Sequence, residues 1–551
     1  MYTKFKNNFF NLKNFIAFLF FFIIILFFVN LFFFNIDNFY TFFGDGAFFV
    51  DLIDELGNNN KYDSSIHRSH LYIFPFLLAE VQDYCAMTLE NAKYLPSYFK
   101  VYDPSIPPNM LAHGHLYLLA PIISLFVKIG FSALAVSSFL FSASYVLILY
   151  LIFDFLKNKM NIFLAIFFVI VIISFPPLSL SFIGQFYFDR LFILPMLLII
   201  FLYYSYFTEN KKNTFTKIIL VSILTCLLHE RAFLMVGFFL VTYSLLMTNF
   251  KVYKDKKVFI LFLFGLFCIF TYFFYTKNFQ DNFYWGNTIP SQLYANLLRI
   301  LDTEDILFKQ SVKLFFIVLP LVLLSFKNKK LFLIASISLI PQFLVTVGGA
   351  EKYALTTHYH AFYIPFLVAA ATIGFCEYIR DGIRYKKLTF FYLLFIIIYN
   401  STYNYSKVEE PFSFRGNLDP SRLTFYKSLI HLNYKETNEY WYQNRTFKNK
   451  EIKKLIEENK SISAPENFFP YLSTYNHIVD VFPFGVGQKD YVLLELPVKD
   501  DIYSMAIPTF MGPEVKNQVA DCIMQKLQNQ YEIIFQETFL DGTLKILYRL
   551  K

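Results

Sequence analysis

The chain has 551 residues, of which 56% are apolar and only 16% are charged, and its mean hydropathy is +0.45. A soluble chain of this length carries about a quarter charged residues, so the composition excludes an ordinary soluble protein and indicates a membrane protein. The net charge of +8 is concentrated in short loops between apolar runs. That distribution is typical of membrane proteins and gives no argument for nucleic-acid binding.

The first apolar run, residues 15–34, holds no charged side chain over the length that spans the hydrocarbon of a bilayer. At a few tenths of a kcal/mol for each Leu, Ile, Phe or Val, its insertion is favourable by roughly 6–10 kcal/mol. Lysines precede it, as in a signal sequence. The run is too long for a signal-peptide core, however, and no small-residue cleavage site follows it, so we expect an uncleaved anchor.

Hydropathy along the chain predicts eleven membrane-spanning helices. They lie at about residues 15–35, 132–155, 161–178, 190–207, 217–228, 232–249, 257–275, 312–326, 331–347, 358–378 and 388–401. Basic clusters occupy the short connections: Lys157 and Lys159; Lys211, Lys212 and Lys217; Lys251, Lys254, Lys256 and Lys257; Lys327, Lys329 and Lys330; Arg380, Arg384, Lys386 and Lys387. With a cytoplasmic N-terminus, every cluster falls on the cytoplasmic side, as the positive-inside rule expects.

This topology requires two local features. Residues 113–130 must lie along the outer interface, because a crossing there would put every later basic cluster on the wrong side. The run 217–249 must be two short helices broken at residues 229–231. Cytoplasmic loops of about ten residues then leave no room for a nucleotide-binding domain, and the sequence contains no GxxxxGKS/T loop.

We therefore predict an all-α polytopic membrane protein with an extracytoplasmic α/β domain at its C-terminus. Residues 1–401 would form the membrane domain, with a large first outer loop at 36–131, and residues 402–551 the outer domain. The predicted tail elements are strands at 478–482, 491–496, 531–537 and 543–550, a helix at 514–530, and a hairpin turn at Asp541-Gly542. Cys85 and Cys522 could meet outside the membrane, but the sequence alone does not pair them.

All nine histidines fall on the outer side of this topology, and several stand beside charged residues at span ends. The groups are Asp189-Arg190, His229-Glu230-Arg231, and Glu351-Lys352 ahead of His358 and His360; the first loop adds Asp45, Asp51 and Asp54. One interpretation is that such side chains are solvated helix caps, and the other is that they converge on one extracytoplasmic cavity. For His229-Glu230-Arg231 we favour a function, because charge between two short apolar stretches is costly.

A carboxylate opposite cationic groups suits transfer from a phosphate-linked donor. The acid acts as general base on an acceptor hydroxyl, and Arg, Lys or His stabilises the departing phosphate. Because nucleotide sugars are not supplied outside the cytoplasm, the donor would be carried on a lipid. A divalent metal is an alternative for the same residue types, although no local spacing such as HExxH supports it, and no other cofactor is indicated.

Several segments resemble, in order along the chain, pieces of a known family. They are GDGAFF at residues 44–49, HGHLYLLAP at 113–121, FYFDR at 186–190, LHER at 228–231, and tail pieces at 462–464, 470–473 and 490–494. With these the chain resembles the bacterial predicted membrane protein family of domain of unknown function 2079, and more broadly the GT-C class of membrane glycosyltransferases. It departs from the family pattern at Asp51, at Leu191 and in the turn at residues 229–231.

The resemblance implies an inverting glycosyltransferase of a bacterial inner membrane. It would use a polyprenyl-phosphate sugar and an extracytoplasmic glycan, lipid or protein acceptor. Asp45 would be the general base; the alternative is a turn aspartate that stabilises Gly-Asp-Gly. His229, Glu230 and Arg231 would line the donor phosphate. Further substrate contacts would come from Asp51, His113, His115, Asp189, Arg190, Trp285, His358 and His360; Trp285 alternatively anchors the chain at the interface.

Two other functions compete with this interpretation. A secondary transporter or lipid flippase would place ionisable groups near the bilayer midplane, often in repeated halves. Here the candidate groups lie at outer ends and no internal repeat is evident. A non-catalytic envelope assembly protein would use the tail to bind a partner and would leave Asp45 and Arg231 dispensable.

Overall fold

A computed structural model describes most of the helices and much of the C-terminal tail. The described residues are 12–37, 45–60, 117–182, 187–209, 213–280, 296–344, 358–381, 383–403, 451–465, 468, 471–472, 478–483, 485–496, 498, 501–505, 513–538 and 543–551. Every structural statement below refers to these residues.

A helix is found at each of the eleven segments predicted to span the membrane, and two shorter helices, α2 and α3, lie within the predicted first outer loop. The helices are α1 Leu12–Asp37, α2 Asp45–Asn58, α3 Ala120–Lys128, α4 Ala133–Lys157, α5 Ile162–Ser174, α6 Ile193–Thr208, α7 Thr214–Cys226, α8 Glu230–Met247, α9 Lys256–Tyr275, α10 Ile306–Ser325, α11 Lys329–Leu344, α12 Ile364–Arg380 and α13 Ile383–Thr402.

Among the described residues, seven helical stretches are long and apolar enough to cross a bilayer. They are Phe15–Ile36, Ala133–Lys157, Phe188–Thr208, Glu230–Met247, Lys256–Asn278, Leu307–Ser325 and His360–Arg380. Shorter apolar helices lie at Ile162–Ser174, Thr214–Cys226 and Lys387–Thr402. The chain is therefore a mostly helical membrane protein with several candidate spans.

Of the two local features required by the predicted topology, the helix break is present, and the placement of residues 113–130 along the outer interface stays a prediction. The run 217–249 divides into α7 and α8, and the break falls at His229, which caps α8. Residues 120–128 form a helix of nine residues, which at 1.5 Å per residue is too short to cross the hydrocarbon. This helix, α3, packs against α2.

Helix α12 is the centre of the bundle, because it contacts α4, α6, α10, α11 and α13. Of the residues in its most apolar stretch, 83% are buried inside the protein. Its neighbour α10 contains Pro320, which has no N–H to donate to the carbonyl oxygen of Phe316. The hydroxyl of Tyr399 on α13 donates to that oxygen at 3.0 Å instead. A neighbouring helix thus satisfies a backbone group that the proline leaves without its helical partner.

Helices α8 and α9 approach closely because glycines face each other at the crossing. A Cβ atom at Gly237 would lie 2.6 Å from the carbonyl oxygen of Gly265, a distance that real Cβ atoms do not reach. Helix α9 is otherwise peripheral, since only 22% of the residues in its most apolar stretch are buried inside the protein. The two glycines therefore allow a lipid-facing helix to pack tightly on the bundle.

The lysine-rich turns lie together at one end of the bundle, because side chains link one turn to the next. The pairs are Lys159 with Glu209, the Tyr206 hydroxyl with Asp255 at 2.9 Å, the Asn328 amide with Glu377 at 2.8 Å, and Lys327 with Asp381. The break before α8 and the start of α4 belong to the opposite end. The basic clusters thus share one end of the bundle.

The described part of the tail contains a five-stranded mixed sheet together with helical segments, in agreement with the predicted α/β pattern. The strands are β1 Ser461–Ala464, β2 Ile478–Val481, β3 Tyr491–Leu496, β4 Tyr531–Thr538 and β5 Leu544–Leu550, and one helical segment is α14 Pro513–Gln530. The strand order is β2-β1-β3-β5-β4, with β1 parallel to β2 and β3 and the other pairs antiparallel. The predicted turn Asp541-Gly542 lies outside the described residues.

The two faces of this sheet have different partners. Val492 and Leu494 on β3 belong to a small core with Val519 and Leu527 of α14. Leu493, on the opposite face, belongs to the same buried apolar cluster as the membrane helices. The tail is therefore continuous with the membrane domain through one face of its sheet.

Candidate functional site

A buried polar cluster lies at the end of the bundle opposite the lysine-rich turns, where the chain passes from α7 to α8. His229 has extended backbone angles and is the N-cap of α8; its Nδ1 accepts a hydrogen bond from the backbone N–H of Arg231 at 3.1 Å. Glu230 follows in the first helical turn, where the helix dipole favours a negative charge. The cap thus explains why an imidazole and a carboxylate occur between two apolar runs.

Asp189 joins this cluster from a different part of the chain. It lies in a 3-10 helix, Phe188–Phe192, directly before α6. One of its oxygens, Oδ1, is 2.9 Å from His229 Nε2, and the other, Oδ2, is 4.0 Å from Arg231 Nη1. Glu230 Oε2 lies 3.2 Å from His229 Nδ1. The His229 ring therefore lies between two buried carboxylates, Asp189 on its Nε2 side and Glu230 on its Nδ1 side.

Exposure differs sharply within the cluster. The side chains of His229, Glu230 and Asp189 are between 1% and 4% exposed, whereas that of Arg231 is 21% exposed. Arg231 therefore has the most exposed side chain of the cluster, although its Nη1 atom is buried. The Arg231 guanidinium lies next to the Asp189 carboxylate and the aromatic ring of Phe362, which help to position it.

Aromatic side chains surround the cluster. The Tyr117 ring lies 5.3 Å from the His229 ring and 5.0 Å from that of Phe188, and Phe362 lies 5.9 Å from the Arg231 guanidinium. These aromatic groups exclude water from one side of the charges. The sequence does not single out these aromatic residues, because they are few among 74 Phe and 40 Tyr. The one feature that could have indicated them is that each lies within two residues of His115, Asp189 or His360 in the sequence.

Arg190 and His360 lie beside this cluster but have other partners. Arg190 is fully buried, donates from Nη1 to the Ser181 carbonyl oxygen at 2.6 Å, and stacks on Tyr187. His360 is 2% exposed, and its Nδ1 is 3.2 Å from the Tyr363 hydroxyl. Their two 3-10 helices, Phe188–Phe192 and His358–Phe362, contact each other. The predicted substrate contacts of Arg190 and His360 stay predictions.

Asp51 and Asp45 both belong to α2, at different positions along it. Asp51 is buried and lines a separate cavity with Asp54. Asp45 is the first residue of α2, one turn before Phe49, whose ring is 4.5 Å from that of Phe188. The start of α2 is thus close to the 3-10 helix that carries Asp189.

The remaining predicted site residues cannot be compared with the structure. His113, His115 and Trp285, together with the side chains of Asp45 and His358, lie outside the described residues. Within the described part of the chain, no group of three or more His, Cys, Asp and Glu side chains is arranged to hold a metal ion. The described residues therefore offer no set of ligands for the divalent metal that the sequence left as an alternative.

One buried cation escaped the sequence prediction. Lys313 lies inside the apolar stretch Leu307–Ser325 of α10 and is 2% exposed. Charged groups at such positions are rare and usually functional. The sequence signal was a lysine within the first two turns of a predicted span.

The fold and the cluster define a polytopic membrane protein with a buried acid–imidazole–guanidinium group at one end of its bundle. Its sequence matches the profile of the family described as "Predicted membrane protein (DUF2079)" over residues 109–535. The chain belongs to this family, as its motifs predicted. No curated protein and no solved structure matches it.

Proposed function

We propose that the protein is a membrane glycosyltransferase that takes a sugar from a polyprenyl-phosphate donor and transfers it to an acceptor outside the cytoplasm. The observation that carries the proposal is Arg231, whose side chain is partly exposed and lies beside the buried pair Asp189 and His229 at the boundary of the apolar helices. A guanidinium held in this way presents several fixed N–H donors to a phosphate. A lipid-linked phosphate would reach it from the bilayer.

The sidedness of the bundle supports a donor in the outer leaflet. The basic turns share one end, which the positive-inside rule assigns to the cytoplasm. Eleven spans would then place the N-terminus in the cytoplasm and the C-terminal domain outside it. Cys522 in the tail is disulfide-bonded, which fits an oxidising compartment such as the periplasm. The site would accordingly lie on the outer face of a bacterial inner membrane.

The proposed reaction is a displacement at the anomeric carbon of the donor sugar. An acceptor hydroxyl oxygen attacks the anomeric carbon as the bond from that carbon to the phosphate oxygen breaks. The hydroxyl proton passes to the Asp45 carboxylate, and the polyprenyl phosphate leaves with the electron pair of the broken bond. Arg231 stabilises the charge that develops on the phosphate, while His229 and Asp189 act through Arg231 as positioning residues.

The position of α2 supports Asp45 as the base. Residues four apart in a helix lie on the same face, and Phe49, four residues after Asp45, packs on Phe188 next to Asp189. Asp45 is therefore on the face of α2 that approaches the cluster.

The test compares Arg231→Ala and Asp45→Asn with the wild type in a strain that lacks the protein. We expect both variants to insert normally and to lose surface glycan. With membranes and a polyprenyl-phosphate sugar, the release of polyprenyl phosphate should fall about 100-fold or more. Arg299→Ala is the matched control, because Arg299 is also an arginine paired with an aspartate, Asp305 at 2.9 Å, and it should keep activity.

Three outcomes decide between the functions. Loss of transfer in Arg231→Ala, with Arg299→Ala active, supports the enzyme. Unchanged glycan in both site variants refutes it and leaves a non-catalytic assembly role. A lipid-linked precursor that accumulates in the inner leaflet refutes it in favour of a flippase. Reporter fusions after residues 60 and 551 check the orientation, and a cytoplasmic result for either one contradicts the proposal.

A further inference from the structure

A second, separate cavity of about 290 Å³ lies where the tail meets the membrane domain. Its walls come from three parts of the chain: α2, the turn between α3 and α4, and the tail segments around residues 453 and 471–472. The polar and aromatic lining residues are Asp51, Asp54, Asn58, Ser132, Lys453 and Tyr471. Arg231, the proposed donor contact, is not among the described residues that line this cavity.

The lining combines hydrogen-bond acceptors, donors and an aromatic ring. Asp51 is 4% exposed and Tyr471 is 5% exposed, so the cavity is partly closed to bulk water. Asp54 and Asn58 lie one turn apart on α2, and the Asn58 amide donates to Asp54 Oδ1 at 3.0 Å. Lys453 adds an ammonium from the tail. Carboxylates accept hydrogen bonds from hydroxyl groups, and ammonium and amide groups donate to them.

This combination suits a neutral polyhydroxylated ligand. Two carboxylates against one ammonium disfavour an anion such as a free phosphate. A divalent cation such as Ca²⁺ takes six to eight oxygen ligands, and Lys453 would oppose it. The volume is at the small end of the range for ligand pockets, about 300 Å³ and upward, which leaves room for one sugar unit rather than an extended chain.

We propose that this cavity binds one sugar unit of the acceptor glycan, set back from the unit that reacts; the assignment as acceptor rests on the proposed glycosyltransferase function. Helix α2 connects the two sites. Asp45 begins this helix, and Asp54 is nine residues further along, about 14 Å at the rise of an α-helix. With one sugar unit held at Asp54 and Tyr471, the glycan could extend along α2 and place a hydroxyl of its reacting unit at Asp45. The tail contributes Lys453 and Tyr471, and would thus take part in acceptor recognition.

The experiment uses the full-length protein in lipid nanodiscs. The probes are the methyl glycosides of glucose, galactose, mannose and N-acetylglucosamine, each titrated by saturation-transfer-difference NMR. We expect at least one glycoside to bind the wild type. Asp54→Asn and Tyr471→Leu should weaken that binding about tenfold or more, because each removes a charge-assisted hydrogen bond or a packing surface. Glu304→Gln, a control at an exposed carboxylate, should leave it unchanged.

The outcomes separate this inference from the enzyme proposal. If no glycoside binds, or if Asp54→Asn binds as tightly as the wild type, the cavity is not a sugar site. Asp54 is not buried, so Asp54→Asn decides the question even if Tyr471→Leu does not fold. Glycan loss in Arg231→Ala with normal glycan in Asp54→Asn would keep the enzyme and overturn the acceptor site. If sugar binding depends on Asp54 but Arg231→Ala still makes normal glycan, the cavity is a sugar site and the proposed glycosyltransferase function is refuted.

Discussion

The contact between Asp189 and Arg231 permits a quantitative prediction about the candidate site. The relevant atoms are 4.0 Å apart; the Asp189 side chain is buried, and the Arg231 side chain is 21% exposed. Two unit charges at that distance attract by about 4 kcal/mol at an effective dielectric of 20 and about 1 kcal/mol in water. We expect Asp189→Ala alone to cost about 3–5 kcal/mol, because it leaves buried groups without their counter-charge.

A double-mutant cycle isolates the pair. Asp189→Ala, Arg231→Ala and the double variant would be unfolded with SDS in mixed micelles, and the loss of helical circular dichroism would be followed. The contact of Asp189 with His229 is lost in both variants that carry Asp189→Ala, so it cancels in the coupling energy. We expect a coupling of about 1–3 kcal/mol, between the two dielectric limits.

Asp154 and Lys157 provide a matched control at the far end of α4. Their charged atoms are closer, at 2.6 Å, but the side chains are 47% and 32% exposed. Exposed pairs usually contribute about 0–1 kcal/mol, so the closer pair should show the weaker coupling. A coupling at Asp189–Arg231 no larger than that of the control would refute the view that burial makes this contact strong.

Two further predictions concern the bundle and the tail. Tyr399→Phe should destabilise the protein by about 1 kcal/mol, because it removes the hydroxyl that donates to Phe316. In a Pro320→Ala background the same change should have almost no effect, since a backbone amide can again donate to that carbonyl oxygen. Equal costs in both backgrounds, measured by the same SDS unfolding, would contradict this. In the tail, the backbone N–H and then the hydroxyl of Ser461 donate to Asp490 and lower its pKa below the ordinary value. The resulting stabilisation is present above the unfolded pKa of about 3.9 and is lost as the pH falls through the lower folded pKa. Asp490→Asn should therefore flatten the acid dependence of hydrogen exchange at β1 in the full-length protein, and an unchanged profile would rule out this role.

Most of the helical fold could be predicted from the sequence, because the requirement for apolar side chains in a bilayer leaves long uncharged runs. The break before α8 was predicted for the same reason, since three polar residues interrupt a run that is otherwise apolar. Strand β1 was missed because Ser461–Ala464 has only four residues, so its alternation of serines with Ile462 and Ala464 is too short to indicate a strand. Its place between β2 and β3 depends on long-range pairing that a local pattern does not contain.

The candidate site was predictable in its residue types but not in its arrangement. Asp189 and His229 are forty positions apart, and their contact depends on how a short 3-10 helix packs against the cap of α8. Hydropathy gives the order of spans and carries no information on such packing. For the same reason the sequence grouped Asp51 with the residues of this cluster, whereas the structure places it in the cavity beside the tail.

The two unlike faces of the tail sheet limit how the protein can be divided. A fragment that begins near Glu451 would keep the core between the sheet and α14 but would expose Leu493 and its neighbours to water. Such a fragment is expected to self-associate or bind detergent. Crystallographic or binding work on an isolated tail would therefore need polar substitutions on that face of the sheet. The truncated membrane domain would in turn expose the apolar surface that the sheet covers in the full-length protein.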